Sequence, residues 1–219
     1  MNTTFADQSG GVAVPASTPV VAVKRRTIDS VLISLGVVAT VVLAVAGALL
    51  TWGANFSNDY VHDELSSQNI TFPSAEALTE GGRADLVKFA DHRVDTGKEA
   101  EGYASYINGH LADIADGATY ADLGGPERAA NAAVADAVAA GQPQATIDEL
   151  QAKADAITGQ RNTLFKGETL RGLLLSAYAW STVGSIAGYA ALGAFIAAAL
   201  MAVLVVLGMW HHHKVPKTA

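Results

Sequence analysis

Three histidines in the middle of the chain are the first candidates for chemistry, because imidazole binds metals and transfers protons near neutral pH. They are His62, His92 and His110. His62 is followed by Asp63 and Glu64, but residues one and two positions along a helix do not share its face. A zinc site would therefore need ligands that converge from separate segments. The spacing favours ordinary surface or packing histidines, and we predict neither a metal site nor a cofactor.

Acidic side chains are the second candidates. Asp91, Asp95, Glu99 and Glu101 could bind divalent cations weakly, but they lack the spacing of a calcium loop. The sequence contains no nucleophile elbow, zinc-protease helix or phosphate loop. It also has no Cys, which excludes a thiol nucleophile and Cys-ligated metals. We therefore predict that the protein is not an enzyme, and we assign no catalytic residue.

One ion pair stands at a structurally informative place. Glu168 and Arg171 lie three residues apart, so they can pair on one helix face. They directly precede a long uncharged segment. Pairing would fix the angle between a helical domain and a membrane helix. Arg171 could instead bind a lipid phosphate, or the pair could simply be solvated.

Two long apolar segments decide the class of protein. The chain has 219 residues, of which 50% are hydrophobic and 16% charged. Residues 30–54 and 172–210 contain no charged side chain, and uncharged apolar runs of this length are typical of membrane-spanning helices. Neither run contains a histidine, which argues against a proton relay, an ion path or heme ligation within the membrane.

The distribution of charge predicts the orientation. Lys24, Arg25 and Arg26 precede the first span, and Lys214 and Lys217 follow the second. Short basic flanks stay in the cytoplasm, so we predict that both termini are cytoplasmic. Residues 53–170 carry 19 acidic and 8 basic side chains, a formal charge of −11, and are predicted to lie outside.

Each span leaves one alternative open. Ala46-Gly47-Ala48 could be a signal-peptidase site, although the apolar run continues past it to Trp52, an interfacial anchor. The second run would be about 58 Å long as a helix, whereas the hydrocarbon core is about 30 Å thick. Residues 186–210 are enough to cross it. Residues 172–185 are then predicted to form an interfacial helix, which continues the span or bends at Gly184 or Gly188.

Small residues recur at every fourth position in both spans, a pattern that permits close approach of membrane helices. They predict a helix–helix interface within the hairpin or with a partner; the overall richness in Ala explains them as well. The predicted packing residues are Gly36, Thr40, Ala44 and Ala48 in the first span, and Gly184, Gly188, Ala190, Ala194 and Ala198 in the second, with Ala202 continuing the series.

The central segment shows helical periodicity and no alternating pattern, so no strands are expected. The helix of the first span is predicted to continue outward for a few turns, and Pro73 should end it. Gly117 should end another helix as a C′ glycine. Thr146 is a plausible N-cap, with Glu149 completing a capping box. Helices are predicted over residues 83–93, 97–116 and 127–140, and again from residue 146.

These patterns predict an all-α protein in which two transmembrane helices flank an extracytoplasmic helical domain. The predicted organisation is a disordered cytoplasmic tail with a basic flank (residues 1–29), a first transmembrane helix (30–53), an acidic external domain (54–171), an interfacial helix (172–185), a second transmembrane helix (186–210) and a cytoplasmic tail (211–219).

Three stretches carry a family resemblance: NDYVHDELSSQNITFP, GATYADL and LFKGETLRGLLLSAYAWSTVGSIAGYAALGAF. They resemble an uncharacterised family of two-span membrane proteins of actinobacteria, some of whose members carry the label aromatic ring-opening dioxygenase. The resemblance covers most of residues 58–195. It implies a membrane protein of the cell envelope and carries over no catalytic residue. A dioxygenase of that kind needs a ligand set for non-heme iron, and this sequence shows none.

The functional prediction is a non-enzymatic integral protein of the cell membrane. Its external domain would act as an interaction or scaffold module that self-associates. The alternatives are an accessory subunit of a respiratory or secretion complex and a metal-dependent envelope enzyme that uses His62, His92 or His110. The predicted partners are the lipid bilayer and a second copy or another membrane protein, and no nucleic acid.

Overall fold

The computed structural model describes residues 25–214, and every regular element in that range is a helix. The helices are α1 (Arg25–Ser67), α2 (Ala75–Glu80), a 3₁₀ helix (Ala84–Phe89), α3 (Gly97–Ile114), α4 (Gly124–Ala139) and α5 (Gln144–Lys214). One isolated antiparallel bridge joins Thr71 to Arg93. The predicted all-α class is therefore confirmed over the described residues. The predicted tails at residues 1–24 and 215–219 lie outside them.

Helices α1 and α5 are much longer than the predicted spans. They contain 43 and 71 residues, or about 64 and 107 Å of helix. Residues 25–29, predicted as part of a tail, form the first turns of α1. Helix α5 continues through residues 172–185 without a break, as in the predicted alternative in which this segment continues the second span. Both helices are long and apolar enough to cross a membrane.

The chain divides into two units. The terminal unit contains residues 25–41 and 198–214 of the described chain, and the central unit contains Val42–Ala197. In the terminal unit, the start of α1 contacts the end of α5 through Arg26 and His212. In the central unit, α1 again packs antiparallel to α5, and α2, α3 and α4 fill the connection between them.

Local capping explains where the short helices begin. Helix α2, which periodicity did not predict, starts after Pro73 because the Ser74 hydroxyl accepts a hydrogen bond from the backbone N–H of Ala77. Helix α3 starts with a complete capping box between Thr96 and Glu99. Each of these side chains satisfies backbone N–H groups that have no partner within the helix.

The ends of α3 and α4 depend on left-handed residues. The backbone N–H of Gly117 donates to the carbonyl of Ala112, 2.8 Å away, while Asp116 has φ +50°. Asp116 therefore occupies C′, where Gly117 was predicted, and Gly117 lies one residue further along. Gly141, with φ +63°, directly follows Ala140, the C-cap of α4.

Helix α5 begins one turn earlier than predicted. Thr146 is not its N-cap, because the carbonyl of Pro143 already accepts hydrogen bonds from the backbone of Thr146 and Ile147. A proline adopts the φ value of a first turn at no conformational cost, and its missing N–H is not needed there. The residues predicted to cap the helix therefore lie inside it.

A compact apolar core holds the central unit together. Its buried members are Val61 and Leu65 of α1, Leu174 of α5, and Phe72, Leu78, Leu86, Val94, Ala100 and Ala104 between them. Phe72 lies at the centre, with its ring 5.3 Å from that of Phe89 and 5.2 Å from that of Tyr103. The bridge at Thr71 fixes this ring by holding its backbone against the segment before α3.

Candidate interaction surfaces

The contact between α1 and α5 follows a seven-residue repeat. In the central unit, one face of each helix is buried or half-buried. On α1 this face contains Leu43, Gly47, Leu50, Ala54, Ser57 and Val61. On α5 it contains Leu174, Ala177, Ser181, Gly184, Gly188 and Ala191. These positions alternate in steps of three and four. Such a repeat is the signature of helices that pack side by side as a left-handed coiled coil. We call this contact the seam.

Glycines bring the two helices close together. A Cβ atom added at Gly47 would lie 2.9 Å from the ring of Phe195. At Gly184, an added Cβ would lie 3.1 Å from Cβ of Ser57. In the terminal unit, an added Cβ at Gly36 would lie 2.6 Å from a methyl group of Val205. The absence of a side chain at these positions permits the close approach.

One buried hydrogen bond fixes the register of the seam in the central unit. The Ser57 hydroxyl donates to the backbone carbonyl of Trp180 over 2.7 Å, and Ser57 is buried. Gly184 leaves the space that the serine occupies. Sliding α5 by one residue would leave this hydroxyl buried without a partner, which is unfavourable.

The predicted packing residues divide between the seam and the surface. In the central unit, Gly184 and Gly188 lie on the seam, and Ala44 and Ala194 are half-buried. In the terminal unit, Ala198 is buried, and Gly36 and Thr40 are half-buried. Ala48 and Ala190 are exposed, whereas their neighbours Gly47 and Ala191 are buried. A strict four-residue step rotates about 40° around the helix each time, so it leaves the contact after two or three steps. The seven-residue step rotates by only about 20°.

Most large apolar side chains on α1 and α5 point away from the seam. Leu49 is 63% exposed, Trp52 68% and Tyr189 77%. The most apolar windows of the two helices are only 6% and 17% buried. These helices are therefore unlike core helices of a globular domain, which bury such side chains.

The predicted junction pair forms. Nη1 of Arg171 donates to a carboxylate oxygen of Glu168 over 2.8 Å, and both side chains remain partly exposed. Glu168 also lines a hollow of about 380 Å³ beside Tyr120 and Leu164. The pair thus lies on α5 where the turn after α3 packs, within the central unit.

The three candidate histidines contact different residues and do not converge on one site. Nδ1 of His62 lies 3.3 Å from the carbonyl of Asp95, and that of His92 lies 3.4 Å from the carboxylate of Glu99. The ring of His110 packs on Tyr106. Within residues 25–214, no three side chains of the metal-binding types come together.

Two arginines anchor the central unit, and sequence periodicity predicted neither. Arg161 of α5 donates to the carboxylate of Glu127 on α4 over 2.5 Å and stacks on the ring of Tyr120. Arg83 donates to the carboxylate of Asp85 and to the backbone carbonyl of Ser105. The bidentate contact with Arg83 lowers the pKa of Asp85 and raises that of the guanidinium.

The capping carboxylate of α3 has a shifted pKa. Burial alone would raise the pKa of Glu99, but the hydrogen bonds from Thr96 and from the backbone of Asp95 outweigh it and lower the pKa below the ordinary value of 4.5. The carboxylate accepts from the Thr96 hydroxyl over 2.8 Å. Because the folded pKa is lower, its ionised form stabilises the fold above pH 4.5, and that contribution disappears as the pH falls through the folded pKa.

We predict that Glu99→Gln lowers the free energy of unfolding by about 1 kcal/mol at pH 7, because the charged acceptor of the cap is lost. The difference from the parent should shrink below pH 4.5. Thermal unfolding of the full chain in detergent, at pH 7 and at a series of pH values below 4.5, measures this difference. Glu101→Gln, an exposed change on the same helix, is the control. A difference that does not shrink as the pH is lowered would contradict the assignment.

A half-open groove lies on the outer surface of the central unit, between α1 and α5. It has a volume of about 340 Å³, and its lining includes Tyr60, Glu64, Gln68, Leu173, Ser176 and Trp180. Leu173 is 65% exposed and Trp180 53%. We call it the outer groove.

Comparison with protein families, with curated proteins and with solved structures finds no match for this chain. A function must therefore be inferred from the sequence and the geometry of this chain alone. Of the sites above, only the seam follows a regular spacing, but in helices so rich in Ala and Gly that spacing does not select one stripe. The outer groove and the Arg161–Glu127 pair had no such pattern, because their residues come from distant parts of the chain.

Proposed function

We propose that the protein is an integral membrane hairpin of the cell envelope that presents its central helical bundle outside the cell as an interaction or scaffold module. The observation that carries this proposal is the outward-facing apolar surface of α1 and α5. Large apolar side chains exposed over this length would be costly in water. Lipid covers them without cost.

Aromatic residues mark the edges of the proposed span. Along α5, the rise from Tyr189 to Trp210 is about 32 Å, close to the hydrocarbon thickness of about 30 Å. Trp210 is exposed, and Lys214 stacks on its ring at 3.8 Å. Trp52 of α1 is exposed as well. Aromatic rings and a basic residue at these depths are typical of the two membrane interfaces.

The contact between Arg26 and His212 supports a common side for both helix ends. Nε of Arg26 donates to Nε2 of His212 over 3.4 Å, so α1 begins beside the end of α5. With the basic flanks, this favours cytoplasmic termini. Packing of Gly47 against Phe195 favours retention of the first span over cleavage after Ala48.

The lack of Cys permits a direct test of this orientation. Single cysteines are introduced at Thr146, Leu49 and His213, all exposed, and intact cells are treated with a membrane-impermeant maleimide. We expect labelling of Thr146→Cys only, and labelling of His213→Cys after the cells are opened. Leu49→Cys should stay unlabelled because lipid covers it. Labelling of His213→Cys in intact cells would refute the hairpin.

We propose further that the hairpin self-associates through small residues that remain exposed, such as Ala48 and Ala190, because small residues let membrane helices approach closely. Native mass spectrometry from a mild detergent tests this, and a strictly monomeric particle would argue against it. The alternative role, an accessory subunit of a larger complex, predicts other proteins in stoichiometric amount after purification from native membranes. A metal-dependent enzyme would instead contain stoichiometric zinc or iron.

A further inference from the structure

The outer groove lies beyond the proposed span. Along α5, Trp180 is about 13 Å past Tyr189, and along α1, Tyr60 is about 12 Å past Trp52. The headgroup region adds only about 5–8 Å on each side of the hydrocarbon core. Leu173 is further out still and is 65% exposed. Apolar surface therefore continues past the level that the bilayer itself covers.

The size of the groove fits one hydrocarbon chain. Its lining runs from Trp180 to Leu170 on α5, a length of about 15 Å, and on the other side from Tyr60 to Leu65 on α1 and on to Ile70 in the segment after that helix. One leaflet occupies about half of the 30 Å hydrocarbon core, so a lipid chain has the same length. The volume of about 340 Å³ lies in the range of small-molecule sites.

A ladder of aromatic rings connects the groove with the span. Trp52 stacks on Phe56 at 5.8 Å, and Phe56 stacks on Tyr60 at 6.3 Å. All three side chains are more than half exposed. The ladder gives a hydrocarbon chain an apolar path along α1 from the outer leaflet to the groove.

The charges at the groove select the headgroup. Among the residues that the structure shows lining it, Glu64 is the only charged one. The segment 53–170 around it has a formal charge of −11. An anionic headgroup would be repelled, whereas a neutral or cationic one is compatible with Glu64 and with the polar atoms of Gln68 and Ser176.

We propose that the outer groove binds one hydrocarbon chain of an outer-leaflet lipid with a neutral or cationic headgroup. This adds a ligand site to the proposed membrane hairpin and rests on that placement. The chain is already in an apolar medium in the bilayer, so the gain on binding comes from the exposed apolar lining of the groove, Leu173 and Trp180 above all, which the chain removes from water.

Quenching of tryptophan fluorescence by brominated lipid chains tests the proposal. The chain has three Trp, and variants that keep only Trp52 or only Trp180 are placed in nanodiscs of phosphatidylcholine with or without brominated chains. Trp52 should be quenched if the hairpin is inserted. Trp180 should lose about half of its fluorescence or more, because occupancy of the groove brings a chain to it.

Two matched variants identify the groove as the cause. Ser176→Phe fills the groove and should abolish quenching of Trp180, while Thr169→Phe, which puts the same ring on α5 away from the groove lining, should leave it unchanged. Leu173→Gln, an exposed change that makes the lining polar, should weaken the quenching without disturbing the core.

Each failure has its own meaning. Unquenched Trp52 would refute the membrane placement. Quenched Trp52 with unquenched Trp180 would refute the lipid site alone, and disulfide cross-linking of Leu173→Cys would then assign the groove to a second copy. Quenching of Trp180 that survives both Ser176→Phe and Leu173→Gln would overturn the proposal, because the residue would lie in the bilayer itself.

Discussion

Phe72→Ala is expected to lower the free energy of unfolding of the central unit by about 3–5 kcal/mol, the range for loss of a buried phenyl ring. Phe72 is only 2% exposed, and its ring contacts Phe89 and Tyr103. These neighbours belong to the 3₁₀ helix and α3, whose backbones cannot collapse into the space because α1 and α5 bound it from the other side. Thermal unfolding of the full chain, followed by near-UV circular dichroism, measures the loss.

Two substitutions calibrate that result. Phe72→Leu keeps most of the volume and should lose less than about 1.5 kcal/mol. Phe165→Ala removes the same ring from a site that is 57% exposed and should lose less than about 1 kcal/mol. An equal loss for Phe72→Ala and Phe165→Ala would show that Phe72 does not organise the core.

Arg161→Ala is expected to release α4 from α5, with a loss of about 2–4 kcal/mol in local stability. The substitution leaves the carboxylate of Glu127, which is 17% exposed, without its cation. It also removes the guanidinium from the ring of Tyr120, 4.1 Å away. Hydrogen exchange of the α4 amides should accelerate by about 30-fold to 1,000-fold, while the amides of α3 keep their rates.

The partner of Arg161 can be tested by a double-mutant cycle. Removal of both Arg161 and Glu127 should lower the free energy of unfolding by less than the sum of the two single decreases, because each single change leaves one charge unpaired. Arg161→Lys should restore little, since an ammonium group cannot both stack on Tyr120 and donate to its backbone carbonyl as the guanidinium does. Arg128→Ala, exposed on α4, is the neutral control. Additive losses would contradict the pairing.

Sequence reasoning succeeded where the cause was local. The ends of α3 and α4, just before Gly117 and Gly141, follow from backbone preferences of one or two residues, whereas α1 ends at Ser67, six residues before Pro73. The two long apolar helices follow from composition alone. The same reasoning missed α2, because six residues are too few for a periodic pattern, and it placed the start of α5 at Thr146 because it overlooked Pro143 as a start.

Sequence reasoning could not select the residues of the seam for a different reason. Ala and Gly are so frequent in both spans that several stripes of small residues are equally plausible, and Ala48 and Gly47 differ by one methyl group. Burial of Gly47 rather than Ala48 is decided by Phe195, which is distant in the chain. The resemblance to actinobacterial membrane proteins stays a prediction.

The sequence by itself determined that this chain is helical, that two of its helices are long and apolar, and that the segment between them is acidic, because these properties depend on composition and on neighbours within one helical turn. Only the tertiary structure decided which faces of α1 and α5 meet, that Arg161 holds α4, and that Tyr60 and Trp180 border one groove. Those contacts join residues at least 34 positions apart, and their free energies depend on how distant side chains pack, which no local pattern of the sequence determines.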